Sequence, residues 1–279
     1  MPLHDDLGTR MKTYYEQIPK IKLMRRTPVA IRIDGKAFHT FTRGLHKPFD
    51  EILMKSMQET MKYLCENIQG CVLGYTQSDE ITLILIDYRR LDSDAWFDYE
   101  VQKMCSIAAS MATMAFNKAF QTNVFQYIAA NPLSGFTDKK AGEEFLKYTD
   151  ILQAAVNKGA MFDARVFNIP KEEVTNLVYW RQLDAIRNSI QMVGQANFSQ
   201  KQLQGKSCAQ IQQMLLAEKG IDWNSFPIYQ QRGSCCVKEI YIDMKSTHNP
   251  PLRSQWIIDN HIPIFIGEGR EYINKQIGV

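Results

Sequence analysis

Pro28-Val29-Ala30-Ile31-Arg32-Ile33-Asp34-Gly35 and, further on, Cys71-Val72-Leu73-Gly74-Tyr75-Thr76-Gln77-Ser78-Asp79-Glu80-Ile81-Thr82-Leu83-Ile84-Leu85-Ile86 are the stretches from which a fold can be argued. The first is a short β-branched run that stops at an acid and a glycine, which predicts a buried strand with Asp34 at its end. The second is two extended runs about a polar Thr76-Gln77-Ser78-Asp79 connection, which predicts an antiparallel hairpin with Asp79 in its turn. Between them, Phe49 to Ile68 carries apolar residues at Ile52, Leu53, Met57, Met61 and Leu64, a helical period.

Trp96 to Phe120, rich in alanine and methionine and free of proline and glycine, predicts a long helix. The order β-α-β-β-α suggests a split β-α-β arrangement, an α+β antiparallel sheet with helices packed on one face. Later signals predict a short helix over Gly142 to Val156, a strand from Met161 to Ile169, and a helix from Lys171 to Gly194 with Glu172 and Glu173 in its first turn. A glutamine-rich helix, Cys208 to Lys219, precedes an irregular, strand-bearing end. No repeat or linker divides the chain. It reads as one main domain, 1–170, with a helical and irregular C-terminal extension, 171–279, packed on it.

The composition is that of a globular protein: 279 residues, 45% hydrophobic and 23% charged. The opening MPLHDDLGTRMKTYYEQ has no apolar core, which argues against a secretory signal. Nothing later approaches the ~20 apolar residues of a membrane span. Six cysteines without a Cys-x-x-Cys pair suggest reduced thiols and a cytoplasmic location. A net charge of +3 admits a nucleic-acid partner without arguing for one.

If the two strands lie side by side, Asp34 and Asp79 meet at one edge of the sheet. Mg²⁺ takes hard oxygen ligands and is usually held by one or two carboxylates plus substrate phosphates. In two-metal nucleotidyl transfer one ion activates the attacking oxygen and the other neutralises the leaving group, at a separation of about 4 Å. Gly35 lets the backbone approach phosphates and offers its carbonyl as a further ligand, and Lys36, Ala37, Phe38 and His39 offer successive amides to a triphosphate. An acid and a glycine at a strand end also serve ordinary turns, so the pair alone leaves both readings open. Glu80 is equally suited to a structural hydrogen bond or to the metal, because alternation turns it away from its neighbour.

Arg32-Ile33-Asp34-Gly35-Lys36-Ala37-Phe38-His39, Lys47-Pro48 and Tyr75-Thr76-Gln77-Ser78-Asp79-Glu80 resemble, in order, three motifs of the tRNA(His) guanylyltransferase family. Phe162-Asp163-Ala164-Arg165 and Trp180-Arg181-Gln182-Leu183-Asp184 are similar to two more, and Arg232-Gly233 and Arg270-Glu271 to weaker ones. The resemblance implies a fold of the polymerase-palm and nucleotide-cyclase type, two Mg²⁺ ions on Asp34, Gly35 and Asp79, and GTP and ATP as substrates. It implies addition of nucleotides to the 5′ end of tRNA in the 3′–5′ direction after activation with ATP, and a homotetramer. Triphosphate contacts are implied for residues 34–39, Ser78, Asp79, Lys103 and Lys47, with His39 favoured as a nucleotide contact over a loop cap. Arg32, Arg181, Arg187 and Lys206 belong to basic clusters that suit tRNA phosphates as well as a solvated face.

One stretch departs from the pattern. Eukaryotic members carry His-Ile-Asn-Asn-Leu-Tyr-Asn where this chain has Ala185-Ile186-Arg187-Asn188-Ser189-Ile190-Gln191. The chain is more similar to the prokaryotic like-protein branch, which implies templated 5′-end repair instead of obligatory guanylation. A nucleotide cyclase and a silent tRNA-binding module are the competing readings. The lack of a Gly-Gly-Asp-Glu-Phe-type turn opposes the first, and the metal-type aspartates oppose the second.

Overall fold

A computed structural model describes residues 6–135, 138–242 and 252–278. The first five residues of the opening segment read above for signal character therefore lie outside the described residues. The helices are α1 (Asp6–Met11), α2 (Phe38–Phe41), α3 (Glu51–Asn67), α4 (Val101–Ala130), α5 (Lys139–Lys158), α6 (Val174–Asn197), α7 (Gln200–Leu203), α8 (Cys208–Lys219), α9 (Ile228–Arg232) and α10 (Glu271–Ile277). The strands are β1 (Val29–Gly35), β2 (Cys71–Gln77), β3 (Glu80–Leu85), β4 (Phe162–Asn168), β5 (Ser234–Ile242) and β6 (Leu252–Asp259). They form one six-stranded sheet in the order β4-β1-β3-β2-β5-β6.

Every neighbouring pair is antiparallel. β1 and β2 therefore run parallel with β3 between them, the split β-α-β arrangement expected from the element order. The β2–β3 hairpin closes on two residues, Ser78 and Asp79, between the paired Gln77 and Glu80. Ser78 adopts a left-handed φ of 50°, which suits the twist of a tight hairpin and costs a non-glycine residue about 1–2 kcal/mol.

Alternation sends Val29, Ile31 and Ile33 of β1 and Ile81, Leu83 and Leu85 of β3 to one face, where they meet Met57, Met61 and Leu64 of α3 and Met104, Ala108 and Phe116 of α4. Gly74 of β2 allows α3 to approach, since a Cβ there would stand 2.6 Å from the Cys65 sulfur. The opposite face carries Ala30, Leu73, Tyr75 and Ile84, covered by Val174 and Val178 of α6 and Ile273 and Ile277 of α10. The segment after residue 170 is thus more than an appendage. It adds β5 and β6 to the sheet and roofs its second face, which is why all six residues of β3 are buried.

Two helices outrun their expected lengths. α4 continues to Ala130 and α5 spans Lys139–Lys158. The added turns of α4 pack on the first half of α5, Tyr127 against Phe145 and Tyr148. The adjacent Cys235 and Cys236 of β5 alternate between the two opposite cores.

Asp50 joins α3, α5 and the loop that precedes α3. It caps α3 by accepting from the Leu53 amide at 3.0 Å, accepts from the His46 amide at 3.0 Å, and accepts from the Tyr148 hydroxyl at 2.5 Å. Burial, reinforced by that bond, pushes the Tyr148 hydroxyl well above the usual phenol range. Asp50→Ala removes the cap and strands a buried hydroxyl, so it is expected to lower the stability measured by urea unfolding by about 2–4 kcal/mol.

Candidate active site

Asp34 and Asp79 come together because β1 and β3 pair in a register that sets Asp34 opposite Glu80. The Gly35 amide donates to the Asp79 carbonyl at 3.1 Å, locking the end of β1 to the hairpin turn. The Asp34 carboxylate has no hydrogen-bond or ion-pair partner among the described residues. Asp79 accepts from the Ser78 hydroxyl at 3.1 Å. Its carboxyl is held above the usual carboxylate range, first by burial and then by repulsion from Asp34 and Glu80, against the opposing pull of its own backbone and Ser78. Two carboxylates this close, one half-buried and neither neutralised by a cation, are a donor set that a divalent cation suits.

The loop beyond Asp34 is shaped by Phe38. Its ring is wedged among Phe41, Phe116 and Phe162, with centroids 5.1, 5.6 and 5.3 Å away. A Cβ on Gly35 would lie 2.2 Å from that ring, so glycine is required there for close approach. The Lys36 amide donates to the Met161 carbonyl at 2.8 Å, and Ala37 turns the chain with a φ of 52°. The amides of Ala37, Phe38 and His39 are left at the start of the one-turn α2, free of helical partners. Phe38 is buried, whereas Lys36, Ala37, His39 and Lys47 are exposed around this loop. No group of three or more His, Cys, Asp or Glu side chains suited to a metal ion occurs among the described residues. Any ion here takes its remaining ligands from phosphate, backbone carbonyl and water.

Glu80 is structural. Its carboxylate lies 3.1 Å from Arg32 Nη2 and 3.2 Å from Arg181 Nε. Arg181 also donates to Asp184 at 2.5 Å, and Arg187 pairs with the same Asp184. Three of the cations expected at tRNA phosphates, Arg32, Arg181 and Arg187, are thus ion-paired within the chain. Arg181 is 5% exposed and Arg32 is held inside the same network, so neither faces solvent as a phosphate ligand. A buried guanidinium persists only when paired, and these are paired. Arg187 stays exposed but is committed to Asp184, and Lys206 is exposed beyond α7.

Lys103 stands apart from the loop. Thr113 of α4 bonds the Phe162 amide beside the loop at 3.2 Å, and Lys103 lies ten residues earlier, about 15 Å back along the helix axis. There its Nζ rests 4.7 Å from the Phe97 ring, so within one chain it is not brought to the triphosphate loop. Conversely, Asp163 stands opposite Asp34 across the β1–β4 pair, and Arg165 opposite Arg32, both exposed. The sequence reading quoted both without a role, although alternation along β4 would have placed them.

The family model for tRNA(His) guanylyltransferase, Thg1, matches residues 8–170. The chain belongs to this family. Among solved structures it is similar to a bacterial tRNA(His) guanylyltransferase (Thg1)-like protein in complex with ATP, at 39% identity over 97% of this chain and 98% of that one, with a TM-score of 0.77. A bacterial Thg1-like protein in complex with GTP matches at 37% identity over 99% of this chain and 100% of that one, TM-score 0.72. The tRNA(His) guanylyltransferase of Schizosaccharomyces pombe is 25% identical over 81% of this chain and 79% of its own length. The two solved structures share the antiparallel α+β fold described above, and nucleotidyl transfer is the family chemistry.

Two substitutions separate the roles of the neighbouring acids. Folding raises the Asp79 pKa, so its contribution to stability is fully present below the ordinary carboxylate range and is lost as pH rises through the raised value. Asp79→Asn is therefore expected to raise the melting temperature at neutral pH, with the gain over wild type vanishing below about pH 4. Glu80→Ala takes from buried Arg181 one of its two carboxylate partners, leaving Asp184, and is expected to destabilise by about 1.5–3 kcal/mol in the same thermal measurements.

Proposed function

We propose that this chain adds nucleotides to the 5′ ends of tRNA in the 3′–5′ direction. The observation that carries the reading is the unneutralised Asp34/Asp79 pair beside a loop of free amides. The loop 34–39 binds the triphosphate: Gly35 gives phosphate access to the backbone, and the amides of Ala37, Phe38 and His39 donate to its oxygens. Lys36, His39 and Lys47 supply exposed donors at the rim, and the Ser78 hydroxyl adds one from the turn. Asp34, Asp79 and the Gly35 carbonyl hold Mg²⁺, which when bound lowers the pKa of an attacking hydroxyl and offsets charge on phosphate.

The reaction balances in two displacements. A 5′-monophosphate oxygen of the RNA attacks the α-phosphorus of ATP, pyrophosphate leaves, and the RNA becomes adenylylated. The 3′-hydroxyl of an incoming nucleoside triphosphate then attacks the RNA 5′-phosphorus, its proton passes to solvent, and AMP leaves. The protein's part is to hold the two phosphorus centres in line, which rigid strand ends do well.

Ala185, buried where eukaryotic members carry histidine, supports templated 5′-end repair over obligatory guanylation. With Asn188 and Gln77 it lines a cavity of about 80 Å³ next to Ser78. Assembly into tetramers is supported by a run of exposed apolar residues near the N-terminus, among them Leu7, Tyr14, Tyr15, Ile18 and Met24. No described helix is long and apolar enough to cross a membrane. The six free cysteines suit the cytoplasm.

Incubation with a 5′-truncated tRNA, Mg²⁺, ATP and labelled GTP is expected to extend the RNA, and mature tRNA(His) transcripts to be poorer acceptors than truncated ones. Asp34→Ala and Asp79→Ala are each expected to lower the rate by at least about 10³-fold, since either leaves the phosphate charge unopposed. Absence of extension across several truncated tRNAs contradicts the proposal.

A further inference from the structure

Trp180 has no place in the scheme above, yet it is the large aromatic that α6 leaves 50% exposed. Its indole lies against two cations, with the Arg181 guanidinium carbon 4.0 Å and that of Arg32, from β1, 5.2 Å from the ring centroid. Both guanidinium groups converge on one oxygen of Glu80, at 3.2 and 3.1 Å. The ring thereby rests against two cations that are themselves held by one carboxylate, while half of its surface stays open. An indole immobilised this way has already lost the rotamer freedom that a binding partner would otherwise have to remove.

Its position relative to the carboxylate pair is set by the strands. Arg32 and Asp34 are two residues apart on one face of β1, about 7 Å along the strand, and Glu80 is in register with Asp34. The same face of β4 presents Asp163 and Arg165 opposite Asp34 and Arg32, an exposed ion pair 3.7 Å apart whose guanidinium is open to solvent and to a stronger phosphate partner. A shelf on β4 and β1 therefore offers an aromatic plane and a cation on the strand side of Asp34, whereas the amide loop 34–39 lies on the other side, beyond the strand end. An in-line displacement brings its two reactants to the phosphorus from opposite directions. With one side taken by the triphosphate, the shelf is left for the RNA.

The geometry points to Trp180 as the stacking platform for the terminal base of the RNA acceptor end, with Arg165 meeting the phosphate of that nucleotide. This rests on the reading that the chain acts at an RNA 5′ end. Stacking of one base on an aromatic ring is worth enough to change affinity by about 10- to 100-fold and tolerates any base, which suits an enzyme that must accept ends of different sequence.

The test compares wild type, Trp180→Phe and Trp180→Leu by the anisotropy of labelled RNA, using a blunt hairpin and a single strand of equal length, alongside steady-state GTP addition. Leucine keeps apolar cover over the two guanidinium groups but removes the π-face. Trp180→Leu is expected to weaken hairpin binding and raise its KM about 10- to 100-fold with the KM for GTP unchanged, and Trp180→Phe to stay within a few-fold of wild type. Equal binding by leucine and phenylalanine variants overturns the inference, as does a matching loss for GTP, which would mean that Trp180 acts only through the Glu80 network. If wild type adds no nucleotide, the reading of function fails, while the hairpin arm still decides the stacking.

Discussion

The Glu80 carboxylate, held between the Arg32 and Arg181 guanidinium groups, joins two strands and a helix at the point where the chemistry sits. Glu80 begins β3 immediately after the turn that carries Asp79, and Arg32 precedes Asp34 on β1. One buried ion cluster therefore fixes the register of both functional strands and draws α6 down over the sheet. Such clusters contribute little net stability, because desolvation offsets most of the attraction. Their value here is geometric: a slip of one residue would turn every side chain of β1 to the other face and strand three charges in the core. The same cluster orients Trp180 and anchors Asp184, so the front of the sheet is organised outward from a single carboxylate.

Around that anchor the molecule separates stability from chemistry. The α3/α4 face is a dry, aromatic-rich core that holds Phe38 and thereby the loop after Asp34. The site itself runs the other way. Asp79 is ionised at a cost from burial and like charge, Ser78 and Ala37 hold left-handed backbone, and Asp34 has no cation. These are features that a fold selected for stability alone would lose, and they concentrate within a few residues of one another.

Much of this was legible beforehand where the signal was local. The β1 run, the hairpin about Ser78-Asp79 and the period of α3 are encoded within short windows, and the elements follow them closely. The meeting of Asp34 with Asp79 needed only the assumption that β1 pairs β3. What was not legible is non-local. Arg32 and Arg181 read as surface cations because their partner Glu80 lies 48 residues from the one in sequence and across a helix from the other. Lys103 was placed by resemblance, and only the direction of α4 over the sheet shows that it lies far from the loop. The final turns of α4 owe their order to packing on the first half of α5, which neither stretch of sequence announces alone.

The central claim is that Asp34 and Asp79 together hold the divalent cation. The most direct measurement loads the protein with Fe²⁺ in place of Mg²⁺, in the presence of GTP, and maps backbone cleavage by locally generated hydroxyl radicals. Cuts clustered at residues 34–36 and 78–80, lost in Asp34→Asn and suppressed by excess Mg²⁺, are the predicted result. Cleavage elsewhere, or a pattern indifferent to Asp34→Asn, would contradict it.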